Sequence, residues 1–171
     1  MTPDLSGEVV LVTGASRGIG AAIADLLASR GAKVIGTATT AAGAESINGR
    51  MAAFGGVGKV LDVTDGAAVD ALVDEIGKTY GPVTVLVNNA GITRDQILMR
   101  MKDEDWDTII NTNLSSVYRT SKAVMRGMMK QRFGRIINIT SVVGASGNPG
   151  QANYAAAKAG AAVQHHVHPA K

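Results

Sequence analysis

The stretch that decides the fold is VVLVTGASRGIG, residues 9–20. Its first half is short, apolar and rich in β-branched residues, which predicts a buried strand over residues 8–13. Glycines follow at Gly14, Gly18 and Gly20, and the apolar residues beyond them recur at helical spacing. Glycines permit a tight turn and close approach of a ligand to the backbone, and the N-terminus of a helix attracts phosphate. The stretch therefore predicts a strand, a phosphate-binding loop and a helix, in that order.

The same alternation of strand and helix continues along the chain. Further strands are predicted over residues 33–37, 57–63, 83–87 and 135–140. The helical patterns between and after them include a long one over residues 103–132 and a last helix that begins at Gln151 or Ala152, preceded by a glycine-rich loop over 141–150. Strands that alternate with helices through short joins form a parallel sheet with helices on both faces. The predicted fold class is α/β, a Rossmann-like doubly wound parallel sheet, whose ligands bind beyond the carboxyl ends of the strands.

The composition narrows the class of protein. A chain of 171 residues, 46% of them hydrophobic, has enough apolar material for one domain with a core. Its 17 basic and 14 acidic residues are interspersed, so the net charge of +3 gives no strong case for nucleic acid or membrane as a partner. It has no cysteine, which excludes disulfides and cysteine-ligated zinc and is compatible with a reducing compartment. Because no signal-peptide pattern or bilayer-length apolar run is present, we expect a cytoplasmic protein.

The end of the second predicted strand bears on the choice of a nucleotide ligand. An acidic side chain there would bind a ribose 2′-hydroxyl and repel a 2′-phosphate. The sequence is GTATT, residues 36–40, which contains hydroxyl groups and no acid. Arg17 in the glycine loop can add positive charge, and a guanidinium suits a phosphate. NADP is therefore preferred over NAD, unless Arg17 is simply a solvated loop residue.

A tyrosine and a lysine late in the chain are spaced for chemistry. Tyr154 and Lys158 stand four residues apart, so on a helix they share one face. A phenol is a poor acid or base at neutral pH, and a neighbouring cation favours its ionised form. Ser141 directly follows a predicted strand, at the ligand edge of the sheet. Asn113 lies in an otherwise apolar helical stretch, where it is either a satisfied core amide or a group that bends the helix and binds water.

Taken together and in order, these motifs resemble the short-chain dehydrogenase/reductase family over residues 8–160. The motifs are the glycine loop 13–20, NNAG at 88–91, Asn113, Ser141 and Tyr154-x-x-x-Lys158. Family members that reduce 3-oxoacyl groups on an acyl carrier protein are similar at residues 91–102, 113–117 and 150–154. The resemblance implies NADPH-dependent reduction of a 3-oxoacyl thioester to its 3-hydroxyacyl form in fatty-acid synthesis.

The resemblance also implies roles for particular residues. Tyr154 would donate a proton to the substrate oxygen, and Ser141 would hydrogen-bond that oxygen. Lys158 would support Tyr154 and hold the nicotinamide ribose, and Asn113 would anchor a water that connects Lys158 to solvent. The cofactor NADP would contact Gly14, Ala15, Ser16, Arg17, Gly18, Ile19, Gly20, Thr39, Asp62, Val63, Asn89, Ala90, Gly91, Tyr154 and Lys158.

An acidic acyl carrier protein is the partner that the resemblance implies. A basic group on the late helix and turn could receive it, with Arg132 the expected contact among Arg126, Lys130, Arg132 and Arg135. The alternative interpretation of this group is an ordinary solvated helix face. The resemblance further implies a homo-oligomer, which is a tetramer in the family.

After Gly160 the sequence departs from the family pattern. We expect an incomplete NADP-binding domain over residues 1–160, without the last strands of the family fold, and an aberrant tail over 161–171 after a C-terminal truncation. No metal site is predicted in this tail, because no carboxylate or further histidine accompanies His165, His166 and His168. Two other functions stay open. One is reduction of another carbonyl, such as acetoacetyl-CoA, a sugar or an alcohol, and the other is that of a truncated NADP-binding fragment with little or no activity.

Overall fold

The computed structural model describes residues 4–164, which form one sheet of five parallel strands flanked by helices. The strands lie in the order β3-β2-β1-β4-β5. Their bounds are β1 Val9–Val12, β2 Lys33–Ala38, β3 Val57–Val60, β4 Val85–Asn88 and β5 Arg135–Asn138. The α-helices are α1 Gly18–Ser29, α2 Ala41–Met51, α3 Gly66–Thr79, α4 Asp103–Ile110, α5 Ser116–Gln131, α6 Val143–Ser146 and α7 Ala152–Gln164.

Strand β1 lies at the centre of the sheet, and all of its residues are buried. Its side chains alternate between the two faces, so that Leu11 joins one apolar cluster and Val10 the other. The Leu11 cluster includes side chains of α3 and α5, and the Val10 cluster includes side chains of α1 and α2. Helices therefore cover both faces of a parallel sheet, which confirms the predicted α/β class and its doubly wound arrangement.

Three elements differ in detail from the sequence predictions. Strand β3 ends at Val60 rather than at residue 63, because its neighbour β2 ends at Ala38, the residue that pairs with Val60. The predicted long helix over 103–132 is interrupted by a π-helical turn, Asn111–Ser115, between α4 and α5. The predicted loop over 141–150 contains the short helix α6. The other strands lie where predicted, with ends shifted by one or two residues.

Helix α7 packs against the π-helical turn. A Cβ built on Gly160 would lie 3.0 Å from both methyl carbons of Leu114, so the two elements are in close contact at this glycine. The proposed division between residues 1–160 and 161–171 falls within α7, and it stays a prediction. The three histidines of the tail lie outside the described residues. Within residues 4–164, no helix is long and apolar enough to cross a bilayer.

Candidate active site

The glycine loop after β1 is in close contact with the loop after β4. Gly14 has a φ of 65°, and a Cβ built on it would lie 2.9 Å from the Ala90 Cα. A Cβ on Gly20 would overlap the Gly14 carbonyl oxygen and the Asn89 side-chain amide, and it would lie 3.0 Å from the Asn89 Cγ. Glycine is required at these two positions, because a Cβ at either one would meet backbone, of Ala90 or of Gly14, as well as the Asn89 side-chain amide.

Hydrogen bonds join the same two loops. The Asn89 Nδ2 donates to the carbonyl oxygens of Thr13 and Gly14, at 3.1 and 2.9 Å. In return, the Thr13 Oγ1 accepts from the backbone N–H groups of Asn89 and Ala90, both at 3.1 Å. The structure therefore brings together the glycine loop and the NNAG motif, which are distant in sequence.

The N-terminus of α1 is open to an anion. Thr40 caps α2 and Asp65 caps α3 through side-chain oxygens that accept backbone N–H groups. At α1 the N-cap residue is Arg17, and among the described residues no side chain caps the first turn. The first amides of this helix are therefore available to a ligand, together with the positive end of the helix dipole. Arg17 itself is exposed beside them.

The residues expected at the adenosine end follow β2 and β3. Thr39 is exposed directly after β2, and no acid stands beside it at the end of that strand. Asp62 follows β3, and its Oδ1 accepts from the Thr64 N–H at 2.9 Å and from the Thr64 hydroxyl at 2.7 Å. These two hydrogen bonds lower the pKa of the Asp62 carboxyl from its ordinary value. Val63 is buried.

Tyr154 and Lys158 share one face of α7, as predicted. Lys158 is only 6% exposed, and its Nζ donates to the Ile139 carbonyl oxygen at 2.9 Å. The Nζ lies 5.6 Å from the centre of the Tyr154 ring. Burial lowers the pKa of the Lys158 ammonium from its ordinary value, because desolvation disfavours the charged form.

Asn113 is a satisfied amide inside the π-helical turn. It is 1% exposed, and its side chain exchanges two hydrogen bonds with the backbone of Ile92, at 2.9 and 2.8 Å. The amide is thus satisfied and lies where the helix is distorted, and the predicted binding of a water stays a prediction. A Cβ on Gly91 would lie 3.4 Å from the Asn113 Oδ1 and 3.6 Å from the Lys158 Nζ, so these three residues are neighbours.

Ser141 lies in a turn that packs on α7. Its Oγ accepts from the Val143 N–H at 3.2 Å, and its carbonyl oxygen accepts from the Gly144 N–H at 3.0 Å. A Cβ on Gly144 would lie 2.8 Å from the Ala159 nitrogen and 2.9 Å from the Lys158 carbonyl carbon. This close packing holds the Ser141 turn against the part of α7 that carries Lys158.

A cavity of about 570 Å³ connects the glycine loop with α7. Its lining combines residues from the loops after β1, β4 and β5 with the face of α7. They are Arg17, Ile19, Asn89, Gly91, Ile92, Thr93, Arg94, Ile139, Thr140, Tyr154 and Lys158. Of the predicted site residues, this lining contains Arg17, Ile19, Asn89, Gly91, Tyr154 and Lys158. The others are not part of it, namely Gly14, Ala15, Ser16, Gly18, Gly20, Thr39, Asp62, Val63, Ala90, Asn113 and Ser141.

The family assignment follows from a match to a whole-family sequence pattern. The pattern described as short chain dehydrogenase matches residues 8–167. The chain belongs to the short-chain dehydrogenase family. The resemblance inferred from separate motifs is therefore confirmed over almost the whole chain.

Individual short-chain dehydrogenases are closely similar to this chain. The 3-oxoacyl-[acyl-carrier-protein] reductase FabG of Escherichia coli (strain K12) is 63% identical over 157 residues, which are 92% of this chain and 64% of that relative. FabG of Pseudomonas aeruginosa (strain PAO1) is 61% identical over 158 residues, 91% of this chain and 64% of the relative. FabG of Haemophilus influenzae (strain Rd) is 59% identical over 156 residues, 91% of this chain and 64% of the relative. The chain thus spans 64% of the length of these curated relatives.

Sequence reasoning missed two polar residues of this short-chain dehydrogenase. Asn153 is fully buried, and its side chain donates to the Arg94 carbonyl oxygen at 3.0 Å and accepts from the Tyr154 N–H at 2.8 Å. It thereby fixes the start of α7 beside the loop after β4. Arg50, in helix α2, donates to carbonyl oxygens of the glycine loop. The sequence held one usable signal, an asparagine directly before the predicted reactive tyrosine.

Proposed function

We propose that the chain carries the cofactor site and the reactive residues of an NADPH-dependent 3-oxoacyl-[acyl-carrier-protein] reductase. The observation that carries the proposal is the cavity in which Tyr154 and Lys158 face the glycine loop and Asn89. The relatives that share about 60% of its residues bear this enzyme name, which supports the choice of substrate class.

The residues present fit a dinucleotide. The uncapped amides at the start of α1 suit a pyrophosphate, and Gly14 and Gly20 allow the glycine loop to pack closely against the loop after β4 beside them. Arg17, with Thr39 at the end of β2, would receive the 2′-phosphate of NADP, since no acid stands there to repel it. Asn89, Ala90 and Gly91 would line the nicotinamide side, and Asp62 with Val63 would contact the adenine.

The chemistry requires two transfers to one carbonyl group. When bound, NADPH supplies the hydride for the 3-oxo carbon. Tyr154 would give its hydroxyl proton to the carbonyl oxygen, which becomes the 3-hydroxyl group. Ser141 would hydrogen-bond that oxygen, and Lys158 would stabilise the ionised form of Tyr154 by its charge. The Asn113 side chain holds the backbone of Ile92 at the cavity wall, and Asn113 would anchor a water that connects Lys158 to solvent.

The direct test is NADPH consumption by the purified chain with a small acetoacetyl thioester. We expect loss of NADPH absorbance that depends on the thioester, and a kcat/KM at least about ten-fold lower with NADH, because one charged hydrogen bond to the 2′-phosphate is missing. Parallel reactions of NADPH with a reducible sugar and a simple ketone, and of NADP+ with a simple alcohol, test the other substrates. NADPH binding without turnover would instead support the NADP-binding fragment, and equal rates with both cofactors would contradict the assignment of Arg17.

An acyl carrier protein is the proposed partner, and the exposed Arg132 is its proposed contact. Arg132 ends α5 with a φ of 55°, next to the exposed Lys130 in the last turn of that helix. An acidic protein would be attracted to such a group. The homo-oligomeric state implied by the resemblance stays a prediction.

Charge reversal at Arg132 tests the docking proposal. We expect Arg132→Glu to raise the KM for a carrier-linked substrate about ten-fold and to leave that for a small thioester unchanged, because only the former needs the docking charge. Steady-state kinetics with both substrates measures this. Arg30→Glu is the matched control, since Arg30 follows the end of α1, which covers the opposite face of the sheet from α5. Equal effects of Arg132→Glu on the two substrates would refute the docking role.

A further inference from the structure

The Arg50 side chain extends from α2 to the glycine loop and contacts the side on which the Ala15 and Ser16 carbonyl oxygens lie. Its Nη2 donates to the Ala15 carbonyl oxygen at 2.9 Å, and its Nη1 donates to the Ser16 carbonyl oxygen at 3.2 Å. Its Nε lies 3.0 Å from both carboxylate oxygens of Asp25 on α1. One guanidinium therefore connects α1, α2 and the loop that would hold the cofactor phosphates.

These contacts set the direction of two peptide groups. In a trans peptide the C=O and the N–H of the next residue point in opposite directions, and no cis peptide occurs in the described part of the chain. Because the carbonyls of Ala15 and Ser16 point at Arg50, the N–H groups of Ser16 and Arg17 point away from it. Neither amide donates a hydrogen bond to any group within residues 4–164. They are thus presented on the side of the loop where the uncapped amides of α1 begin.

We propose that Arg50 is a positioning residue for the cofactor. Its hydrogen bonds fix the Ala15 and Ser16 carbonyls, so that the amides of Ser16 and Arg17 on the other side of the loop stay directed at the pyrophosphate. The inference rests on the proposed function, because it assumes a dinucleotide in this loop. It assigns Arg50 no contact with the cofactor itself.

The chemistry of the side chain explains why arginine stands there. A guanidinium offers several N–H donors in a rigid plane, so it can bond two successive carbonyls and a carboxylate together, whereas an ammonium is a point charge on a flexible stem. The pairing with Asp25 offsets the charge of Arg50, and this partly exposed pair adds little stability by itself. The effect of Arg50 is therefore on the orientation of the loop rather than on its net charge.

Cofactor affinity measured by fluorescence titration of the full chain tests the inference without relying on turnover. We expect Arg50→Met to weaken NADPH and NADH binding by the same factor, about ten-fold, because both cofactors share the pyrophosphate. Arg50→Lys should remain at least about three-fold weaker than the wild type, since lysine lacks the planar fork. Arg17→Gln, in contrast, should weaken NADPH and leave NADH unchanged. Lys59→Met is the matched control, because it removes another surface ion pair, to Glu75, away from the loop.

The outcomes separate this inference from the proposed function. A wild-type chain that binds neither cofactor overturns the proposed function. A wild-type chain that binds NADPH, with an Arg50→Met variant that binds it equally well, overturns the role of Arg50 alone. Full affinity in Arg50→Lys also overturns it, since charge would then suffice. Thermal midpoints of all variants are measured in parallel, and if Arg50→Met does not fold, Arg50→Lys and Arg50→Gln decide the result.

Discussion

Replacing Tyr154 by phenylalanine is expected to lower the kcat for an acetoacetyl thioester by about 10²- to 10⁴-fold, the range of a lost general acid. NADPH affinity should stay within about two-fold of the wild type, because the substitution removes one hydroxyl and keeps the ring beside Lys158. The loss should appear in the catalytic step rather than in cofactor binding.

Turnover and NADPH titration on the same preparations check this expectation. Tyr118→Phe is the matched control, since Tyr118 is an exposed tyrosine on α5 and is absent from the cavity lining. That variant should retain wild-type turnover. If Tyr154→Phe kept half of the wild-type kcat, the hydroxyl would not be the proton donor and the catalytic assignment would be wrong.

Replacing Gly20 by alanine is expected to destabilise the fold by about 3 kcal/mol, the upper range for forcing a group into a filled space. The added methyl would overlap the Gly14 carbonyl oxygen and the Asn89 amide. Backbone cannot move aside as a long side chain can, so the glycine loop and the loop after β4 would have to separate. Cofactor binding should be lost together with stability.

Urea denaturation and NADPH titration measure both effects of the Gly20 substitution. Gly77→Ala is the matched control, because Gly77 lies in α3 and no other described atom comes within 4 Å of a Cβ built on it. That change should stabilise the chain by about 0.5–1 kcal/mol, as alanine in a helix does relative to glycine. A Gly20→Ala variant with wild-type stability and affinity would refute the close packing of the two loops.

The parts of the fold that could be predicted have local causes. Strand β1 is a continuous apolar run because helices cover both of its faces. Its residues alone therefore predict a buried strand. Tyr154 and Lys158 share a face because four residues make about one helical turn. The family resemblance added roles for these residues that spacing alone did not contain.

The parts that could not be predicted depend on partners far away in the sequence. Arg50 bonds residues 34 and 35 positions before it, and the Asn153 side chain bonds a carbonyl 59 positions away. No periodic pattern marks such residues, because their partners are defined only after the sheet is assembled. Helix α6 was missed for another reason, since the glycines around it favour a loop while its packing against α7 selects the helical turn.

The hydroxyl of Thr13 has a consequence for how the cavity forms and opens. It accepts hydrogen bonds from Asn89 and Ala90, which lie 76 and 77 positions later in the chain. Closing a loop of that size costs entropy, which is recovered only when β1 and β4 have paired. We therefore expect the glycine loop to reach its final shape late in folding. Because the two loops share these bonds, we expect a fluctuation that frees one loop to free the other as well.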